Sequence, residues 1–166
     1  ISTGVLFRAA VSEGTPLGLK VKSILDAGNL VPDDLTLEIL KGRLVLPDVE
    51  SGFILDGYPR NLAQAESLQT LMEELGRPIQ EAIQIDVDTD AVVARIARRA
   101  AKEGRSDDTE EVVRNRQQIY HEKTAPVIDF YAEQGLLTRV LGTGSVDDVL
   151  QLILSVLEID HQGLSA

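Results

Sequence analysis

Short apolar runs alternate with longer segments of helical periodicity along the 166 residues of this chain. Three of these runs, at 53–55, 82–87 and 136–141, have the length and composition of β-strands. The run at 53–55 is continuously apolar and ends at Asp56-Gly57, which is typical of a strand buried on both faces. Strands that alternate with helices form parallel sheets, so the sequence predicts an α/β fold: a parallel sheet with helices on both faces.

Capping residues, glycines and prolines indicate where the helices begin and end. Thr15-Pro16 has the chemistry of a helix start, and Asn61 with Gln64 resembles a capping pair. Pro126 is expected to kink or split the helix that contains it. The predicted helices lie at about 4–13, 16–28, 31–46, 61–76, 89–102, 112–134 and 146–157.

Composition excludes several classes of site and partner. The chain has no cysteine, which excludes disulfides, thiolate metal sites and cysteine nucleophiles. Its two histidines, His121 and His161, leave little for a histidine metal site, and His121 is predicted to lie on a helix surface. A net charge of −11 repels DNA and anionic membranes, and the apolar runs are shorter than the roughly 18–20 residues of a membrane helix. We therefore expect a soluble protein with no nucleic-acid or membrane partner, in which a local basic patch gathers any bound anion.

Such a patch is present in the second half of the chain. Six of the eleven arginines fall within 22 positions: Arg95, Arg98, Arg99, Arg105, Arg114 and Arg116. Arg95 and Arg99 share one helix face, whereas Arg105 lies on a polar connection and Arg116 on the next helix. Guanidinium groups from these elements could converge on a polyphosphate. A solvated helix face balanced by its own acids explains the charge pattern equally well.

The residues at 56–60, Asp-Gly-Tyr-Pro-Arg, follow the first predicted strand. Ligands of open parallel sheets bind beyond the carboxyl ends of the strands. Asp56 could hold a magnesium ion through water, and Arg60 is placed to meet an anionic group, since the glycine and the proline shape the turn. An ordinary strand-ending turn would explain Asp56 and Gly57 but not the remaining residues.

A third candidate lies near the start of the chain, where Ser2, Thr3 and Gly4 cap a helix and Arg8 follows one turn later. This arrangement suits a phosphate or the edge of a base, although helix capping alone explains Ser2 and Thr3. The sequence contains no GxxxxGKS/T phosphate loop, because the glycines at 14–20 are wrongly spaced for one.

Several segments, in order along essentially the whole chain, resemble the adenylate kinase family: ISTGVLFRAAV, LVPDD, GFILDGYPRNLAQAE, the spaced arginines with GRSDD, and TAPVIDFY followed by GTGSVDDV. DGYPR with a glutamine four residues after its arginine is specific to nucleoside monophosphate kinases, and EGRSDDTEE resembles the short-lid form. The resemblance implies a P-loop-kinase-like fold with one domain over 1–166, in which 3–32 form an NMP-binding helical region, 99–109 a short lid and the remainder the core.

The resemblance also implies an activity. It is reversible phosphoryl transfer, in which ATP and AMP give two molecules of ADP, with Mg²⁺ bound to ATP. This chemistry needs charge neutralisation and alignment more than a covalent nucleophile, and an arginine-rich, histidine-poor site agrees with that. The expected partners are AMP, ADP and ATP, and the expected state is a cytoplasmic monomer.

The resemblance assigns site residues one by one. The AMP site comprises Thr3, Arg8, Val31, Gly57, Arg60, Gln64, Arg105 and Arg116. Arg8 and Arg60 are expected on the phosphate and Gln64 on the adenine, and Thr3 with Gln64 favours AMP over pyrimidine monophosphates. Arg95 and Arg99 match residues that bind ATP. The catalytic set is Arg60, Arg95, Arg99, Arg105, Arg116 and Asp56, of which Asp56 acts on magnesium through water and no residue binds the metal directly. Asp107 and Asp108 match lid acids, whereas Arg98 and Arg114 match no assigned role.

Two features depart from the family pattern. The family opens with a strand, a glycine-rich P-loop and a helix, and we expect this βα unit of roughly 25–30 residues to be absent here, which would leave the ATP phosphates without their cradle. Val5 stands where the family has an aspartate that organises the magnesium shell. Activity of the chain alone is therefore in question. A non-catalytic AMP-binding fragment or pseudoenzyme remains an alternative, as does a structural α/β module whose arginines only solvate a helix.

Overall fold

The computed structural model describes residues 1–88, 92, 95–96 and 109–163, with the backbone alone at 110 and 158–163. The helices and strands are, in chain order, α1 (Thr3–Ser12), α2 (Pro16–Asp26), α3 (Asp33–Leu44), α4 (Leu62–Glu74), β1 (Ala82–Asp86), α5 (Glu110–Ile119), α6 (Ala125–Glu133), β2 (Leu137–Leu141) and α7 (Val146–Gly163). A 3₁₀ turn lies at Pro47–Val49 and a π-helical turn at Tyr120–Thr124.

The two strands form a parallel pair, as the alternation of strands and helices predicts. Ala82 lies opposite Leu137 and Asp86 opposite Leu141, so both strands end at the same edge. Immediately beyond that edge the Gly142 amide donates to the Asp86 carbonyl at 2.7 Å. A Cβ at Gly142 would lie 2.3 Å from Val87 Cγ2, so this position accepts only glycine without a local shift. The prediction of an α/β fold with a parallel sheet is confirmed.

The predicted strand at 53–55 is wrong. Residues 53–55 are not assigned to a strand, and the backbone hydrogen bonds beside them join the start of the chain: Ile1 accepts from the Asp56 amide at 2.8 Å, and Ser2 forms a single bridge with Asp56. Phe53 and Leu55 pack on the core, whereas Ile54 is 69% exposed. A buried strand needs a hydrogen-bonded neighbour on each side, and two residues on one side do not supply a ladder.

Two helix starts follow the predicted capping chemistry, whereas Ser2 before α1 makes no side-chain cap hydrogen bond. The Thr15 side chain accepts from the Gly18 amide at 3.0 Å, with Pro16 as the first helical residue of α2. The Asn61 side chain accepts from the Gln64 amide at 2.8 Å at the start of α4. Both predicted starts are confirmed because a cap is a contact between residues three apart.

The later helices agree with their predicted positions in part. The long segment before residue 134 is divided into α5, the π turn and α6, as expected from Pro126, whose ring and missing N–H interrupt the regular hydrogen-bond ladder. α7 continues to Gly163, beyond the predicted end at about 157. Most of the predicted helix at 89–102 lies outside the described residues. Among those described, no helix, the 18-residue α7 included, is long and apolar enough to cross a membrane.

Three groups of buried side chains hold the helices together. Phe7, Val21 and Val31 join α1 and α2 to the start of α3. Leu40 and Leu68 lie in a second group between α3 and α4, to which Tyr58 also belongs. The third group, Ala65, Val127 and Tyr131, joins α4 to α6 beside the sheet. α4 therefore packs on both sides, and its N-terminus lies where the turn at 56–60 meets the helical region of α1–α3.

Candidate functional site

A cleft opens where α1, the loop between α2 and α3, and the turn at 56–60 approach one another. Its lining comprises Thr3, Gly4, Phe7, Leu25, Asn29, Leu30, Val31, Thr36, Gly57, Tyr58, Arg60 and Gln64. Five predicted site residues, Thr3, Val31, Gly57, Arg60 and Gln64, are thus brought together from three separate parts of the chain.

The turn at 56–60 positions Arg60. Gly57 has a φ of 68°, and its carbonyl accepts from Arg60 Nε at 2.7 Å and from the Thr3 hydroxyl at 3.4 Å. The Tyr58–Pro59 peptide is cis. Thr124 Oγ1 donates to the Arg60 carbonyl at 2.8 Å, and the Arg60 amide donates to Gln64 Oε1 at 2.8 Å. Both the backbone and the side chain of Arg60 are therefore held on the cleft wall.

Positive charges gather around Arg60. Burial among surrounding protein atoms lowers the pKa of its guanidinium, and the nearby charges of Arg116 and Arg8 lower it further, whereas the Asp56 carboxylate raises it. One side of Arg60 still faces solvent. Arg8 lies one turn into α1, beside Gly4, and Arg116 belongs to α5. Three guanidinium groups from three elements therefore lie near one another, with the Asp56 carboxylate close to Arg60, which is an arrangement that attracts a multiply charged anion.

Contacts between α5 and the loop after α2 bring Arg116 to this site. Asn115 Nδ2 donates to the Ala27 carbonyl and to Asn29 Oδ1, both at 2.9 Å. A Cβ at Gly28 would lie 2.7 Å from Val112 Cγ1, so the two elements pack without intervening side-chain volume. Nothing in the local sequence of Asn115 indicates a partner 86 residues away, so the sequence did not predict its role in forming the site.

Gln64 is a buried polar residue, 3% exposed, at the back of the cleft. Its Oε1 accepts from the Arg60 amide, and its Nε2 donates to Asp33 Oδ1 at 2.7 Å. The same oxygen of Asp33 accepts from Asn61 Nδ2 at 2.9 Å. The sequence predicted Gln64 as a site residue and Asn61 as its capping partner, but for Asp33 it predicted only a place at the start of a helix. In the structure, Asp33 is linked to the cleft through its hydrogen bond with Gln64.

The remaining predicted residues lie elsewhere or outside the described part of the chain. Arg95 donates to the Gly142 carbonyl at 2.7 Å, at the edge where both strands end, rather than lining the cleft. Asp56 and Val5 are exposed. The predicted lid, 99–109, lies outside the described residues up to position 108, and so do these predicted residues: Arg98, Arg99, Arg105, Asp107 and Asp108. His121 is exposed on the π turn, as predicted.

The chain is similar to known proteins along most of its length. A family model described as adenylate kinase matches residues 1–136. An adenylate kinase of Stenotrophomonas maltophilia strain K279a is 51% identical over 158 residues, which are 95% of this chain and 84% of that protein. An adenylate kinase of Xanthomonas oryzae pv. oryzae strain MAFF 311018 is 53% identical over 157 residues, again 95% of this chain and 84% of the relative.

Proposed function

The chain belongs to the adenylate kinase family, and we propose that its cleft binds AMP, with the phosphate on Arg8 and Arg60 and the adenine on Gln64. Identity of 51% over 95% of the chain favours the enzyme over a non-catalytic fragment or pseudoenzyme. The protein is a nucleoside monophosphate kinase, a phosphotransferase that interconverts ATP and AMP with two molecules of ADP.

The convergence of Arg8, Arg60 and Arg116 is the observation that carries the proposed AMP site. Burial lowers the pKa of Arg60 most, repulsion from Arg116 and Arg8 lowers it further, and a bound phosphate would relieve that repulsion. Each guanidinium offers paired donors that match phosphate oxygens. Phosphoryl transfer depends on charge neutralisation and alignment rather than on a protein nucleophile, so a site built from arginines suits it. We assign Arg116, with Arg105, to the same phosphate and to the transferred group.

The apolar part of the cleft suits a base. Val31 is buried beside the cleft, and Thr3 offers a hydroxyl that already contacts the Gly57 carbonyl. Gln64 retains one N–H and one lone pair after its two internal hydrogen bonds, since an amide carries two of each. A donor beside an acceptor is what an adenine edge requires.

The proposed ATP side lies at the edge where β1 and β2 end. Ligands of parallel sheets bind beyond the carboxyl ends of the strands, and Arg95 lies there, bound to Gly142. We assign ATP phosphate contacts to Arg95 and Arg99.

Magnesium fits this site as an ion held mainly by phosphates. No group of three or more potential ligands from His, Cys, Asp and Glu is found in the part of the chain that the structure describes. Magnesium in nucleotide sites commonly uses one or two carboxylates, several waters and the substrate phosphates. Asp56 is exposed and close enough to Arg60 for its charge to raise the pKa of that guanidinium. It is therefore placed to hold a water of the magnesium shell. The ion would neutralise charge on the ATP phosphates.

The family resemblance also bears on the oligomeric state and the location of the protein. We propose a monomer that works in the cytoplasm with AMP, ADP and ATP as its small-molecule partners. Gel filtration with light scattering measures the first point, and fractionation of the cells that make the protein measures the second.

A coupled assay of ADP formation, with AMP titrated against Mg-ATP, tests the proposed function. We expect little ADP from the 166 residues alone, because they contain no P-loop for the ATP phosphates. With a family-type strand and P-loop added, ADP formation should saturate with AMP and be much slower with CMP as the acceptor. Calorimetry with AMP alone measures binding without turnover. A protein that fails to bind AMP would refute the proposed site, whereas AMP binding without ADP formation in the form with the P-loop would support the non-catalytic alternative.

Gly57→Ala is expected to weaken AMP binding by about tenfold, because a Cβ there would lie 2.9 Å from Arg60 Nη2 and displace the guanidinium. Gly76→Ala is the matched control: Gly76 has a φ of 65°, and a Cβ there would meet no atom within 4 Å. Both substitutions should lower the free energy of unfolding by about 1–2 kcal/mol through backbone strain. Calorimetry with AMP and urea unfolding separate the two effects, and equal AMP affinities in the two variants would contradict the role of Gly57.

A further inference from the structure

The hydrogen bonds of Gln64 hold its amide in one orientation. We propose that Asp33 is a positioning residue that fixes the Gln64 amide and thereby makes the site select a 6-aminopurine monophosphate over a 6-oxopurine monophosphate. This inference rests on the proposed contact between Gln64 and the base, and it adds a specificity determinant that does not itself touch the nucleotide.

Two partners of opposite kind surround the amide. Asp33 Oδ1 lies 2.7 Å from Gln64 Nε2, and a carboxylate oxygen can only accept. The Arg60 backbone N–H lies on the other side, with its nitrogen 2.8 Å from Gln64 Oε1, and it can only donate. Rotating the amide by half a turn would place oxygen against oxygen and N–H against N–H. The reversed orientation is therefore strongly disfavoured, and burial of Gln64 prevents water from compensating.

Asp33 is itself held in place. Asn61 Nδ2 donates to the same carboxylate oxygen at 2.9 Å. Asp33 is also the first residue of α3, where an acidic side chain interacts favourably with the partial positive charge of the helix N-terminus. Asp33 also acts on Tyr58 in the cleft wall: burial is the main cause that raises the pKa of Tyr58 to about 12, and the nearby charge of Asp33 is the next. The acceptor facing Gln64 is thus both charged and restrained.

A fixed amide discriminates between purines by the order of donor and acceptor. Adenine presents an amino donor next to a ring-nitrogen acceptor, whereas a 6-oxopurine presents a carbonyl acceptor next to an N1–H donor. A freely rotating amide could pair with either base by turning over. An amide whose order is set by Asp33 and the Arg60 amide can pair with adenine alone, so the 6-oxopurine leaves polar groups unpaired in a buried site.

The test compares Asp33→Asn with Asp34→Asn. Both variants remove one acid from the first turn of α3, but Asp34 is exposed and outside the Gln64 network. Asparagine offers a donor as well as an acceptor, so in Asp33→Asn the reversed Gln64 amide is opposed only by the Arg60 N–H, and its preference for one orientation is weakened. We expect the ratio of AMP to IMP affinity, measured by calorimetry, to fall about tenfold in Asp33→Asn and to stay at the unsubstituted value in Asp34→Asn.

The readout separates positioning from a merely structural role. Loss of structure would weaken AMP and IMP alike and leave their ratio unchanged, which would overturn the inference. Asp33→Ser provides a second variant should Asp33→Asn fold poorly, since a hydroxyl also donates and accepts. In a Gln64→Ala background, Asp33→Asn should leave the ratio where Gln64→Ala alone has put it.

Gln64→Ala also distinguishes failure of this inference from failure of the proposed AMP site. If Gln64→Ala lowers the AMP to IMP ratio and Asp33→Asn does not, the positioning role of Asp33 is wrong and the adenine contact stands. If Gln64→Ala itself leaves the ratio unchanged, the proposed contact between Gln64 and adenine is wrong, and the inference about Asp33 is refuted with it.

Discussion

Replacing Arg60 by alanine is expected to weaken AMP binding by about 10- to 100-fold. A hydrogen bond to a charged group contributes about 1.5–3 kcal/mol, and about 1.4 kcal/mol corresponds to a factor of ten. Arg60 Nε is held on the Gly57 carbonyl, and the guanidinium lies near Arg8 and Arg116, so its remaining donors are directed to the same anion without further ordering.

Arg43→Ala is the control for the loss of one guanidinium. Arg43 lies on α3 and pairs with Asp48, with Arg43 Nη1 2.8 Å from Asp48 Oδ1. This exposed pair contributes little, and it is not part of the cleft. Arg60→Lys keeps the charge but loses the paired donors, so we expect it to recover only part of the affinity. Calorimetry with AMP that returned equal affinities for Arg60→Ala and Arg43→Ala would remove Arg60 from the site.

Replacing Gln64 by alanine is expected to narrow the preference for AMP over CMP by about tenfold, since the removed amide is the group that distinguishes the bases. The same substitution leaves the Asp33 carboxylate and the Arg60 amide without their Gln64 partner. Unpaired buried polar groups cost about 1–3 kcal/mol, so the free energy of unfolding should also fall by that amount.

Gln69→Ala is the matched control on the same helix. Gln69 donates to Glu73 at 3.0 Å along the outside of α4 and does not line the cleft. We expect it to leave both the AMP to CMP preference and AMP affinity unchanged. Competition binding measures the preference, and an unchanged preference in Gln64→Ala would move the adenine contact to another residue.

The local parts of the site could be predicted because their contacts are close in sequence. Asn61 caps α4 through Gln64, three residues away, and Arg60 folds back on Gly57 within one turn. The two confirmed strands lie between helices and have the predicted apolar composition. The run at 53–55 has the same apolar composition but forms no ladder of hydrogen bonds with a neighbouring strand. Composition shows that a segment is compatible with a buried strand, but it does not show whether a neighbouring strand is present.

The sequence by itself determined the capped starts of α2 and α4, two of the parallel strands and the residue types that suit phosphate and base. Only the tertiary structure decided which of these residues act together. Asp33 accepts a hydrogen bond from Gln64, 31 positions away in the sequence. Asn115 donates a hydrogen bond to Asn29, 86 positions away, and this contact brings Arg116 near Arg60. Periodicity and capping are properties of adjacent residues, because they depend on backbone geometry within a few residues. A hydrogen bond between residues that are distant in the sequence depends on how whole helices pack. Burial of apolar faces drives this packing, and because it is not directional, an apolar pattern in the sequence does not specify which polar side chains will meet.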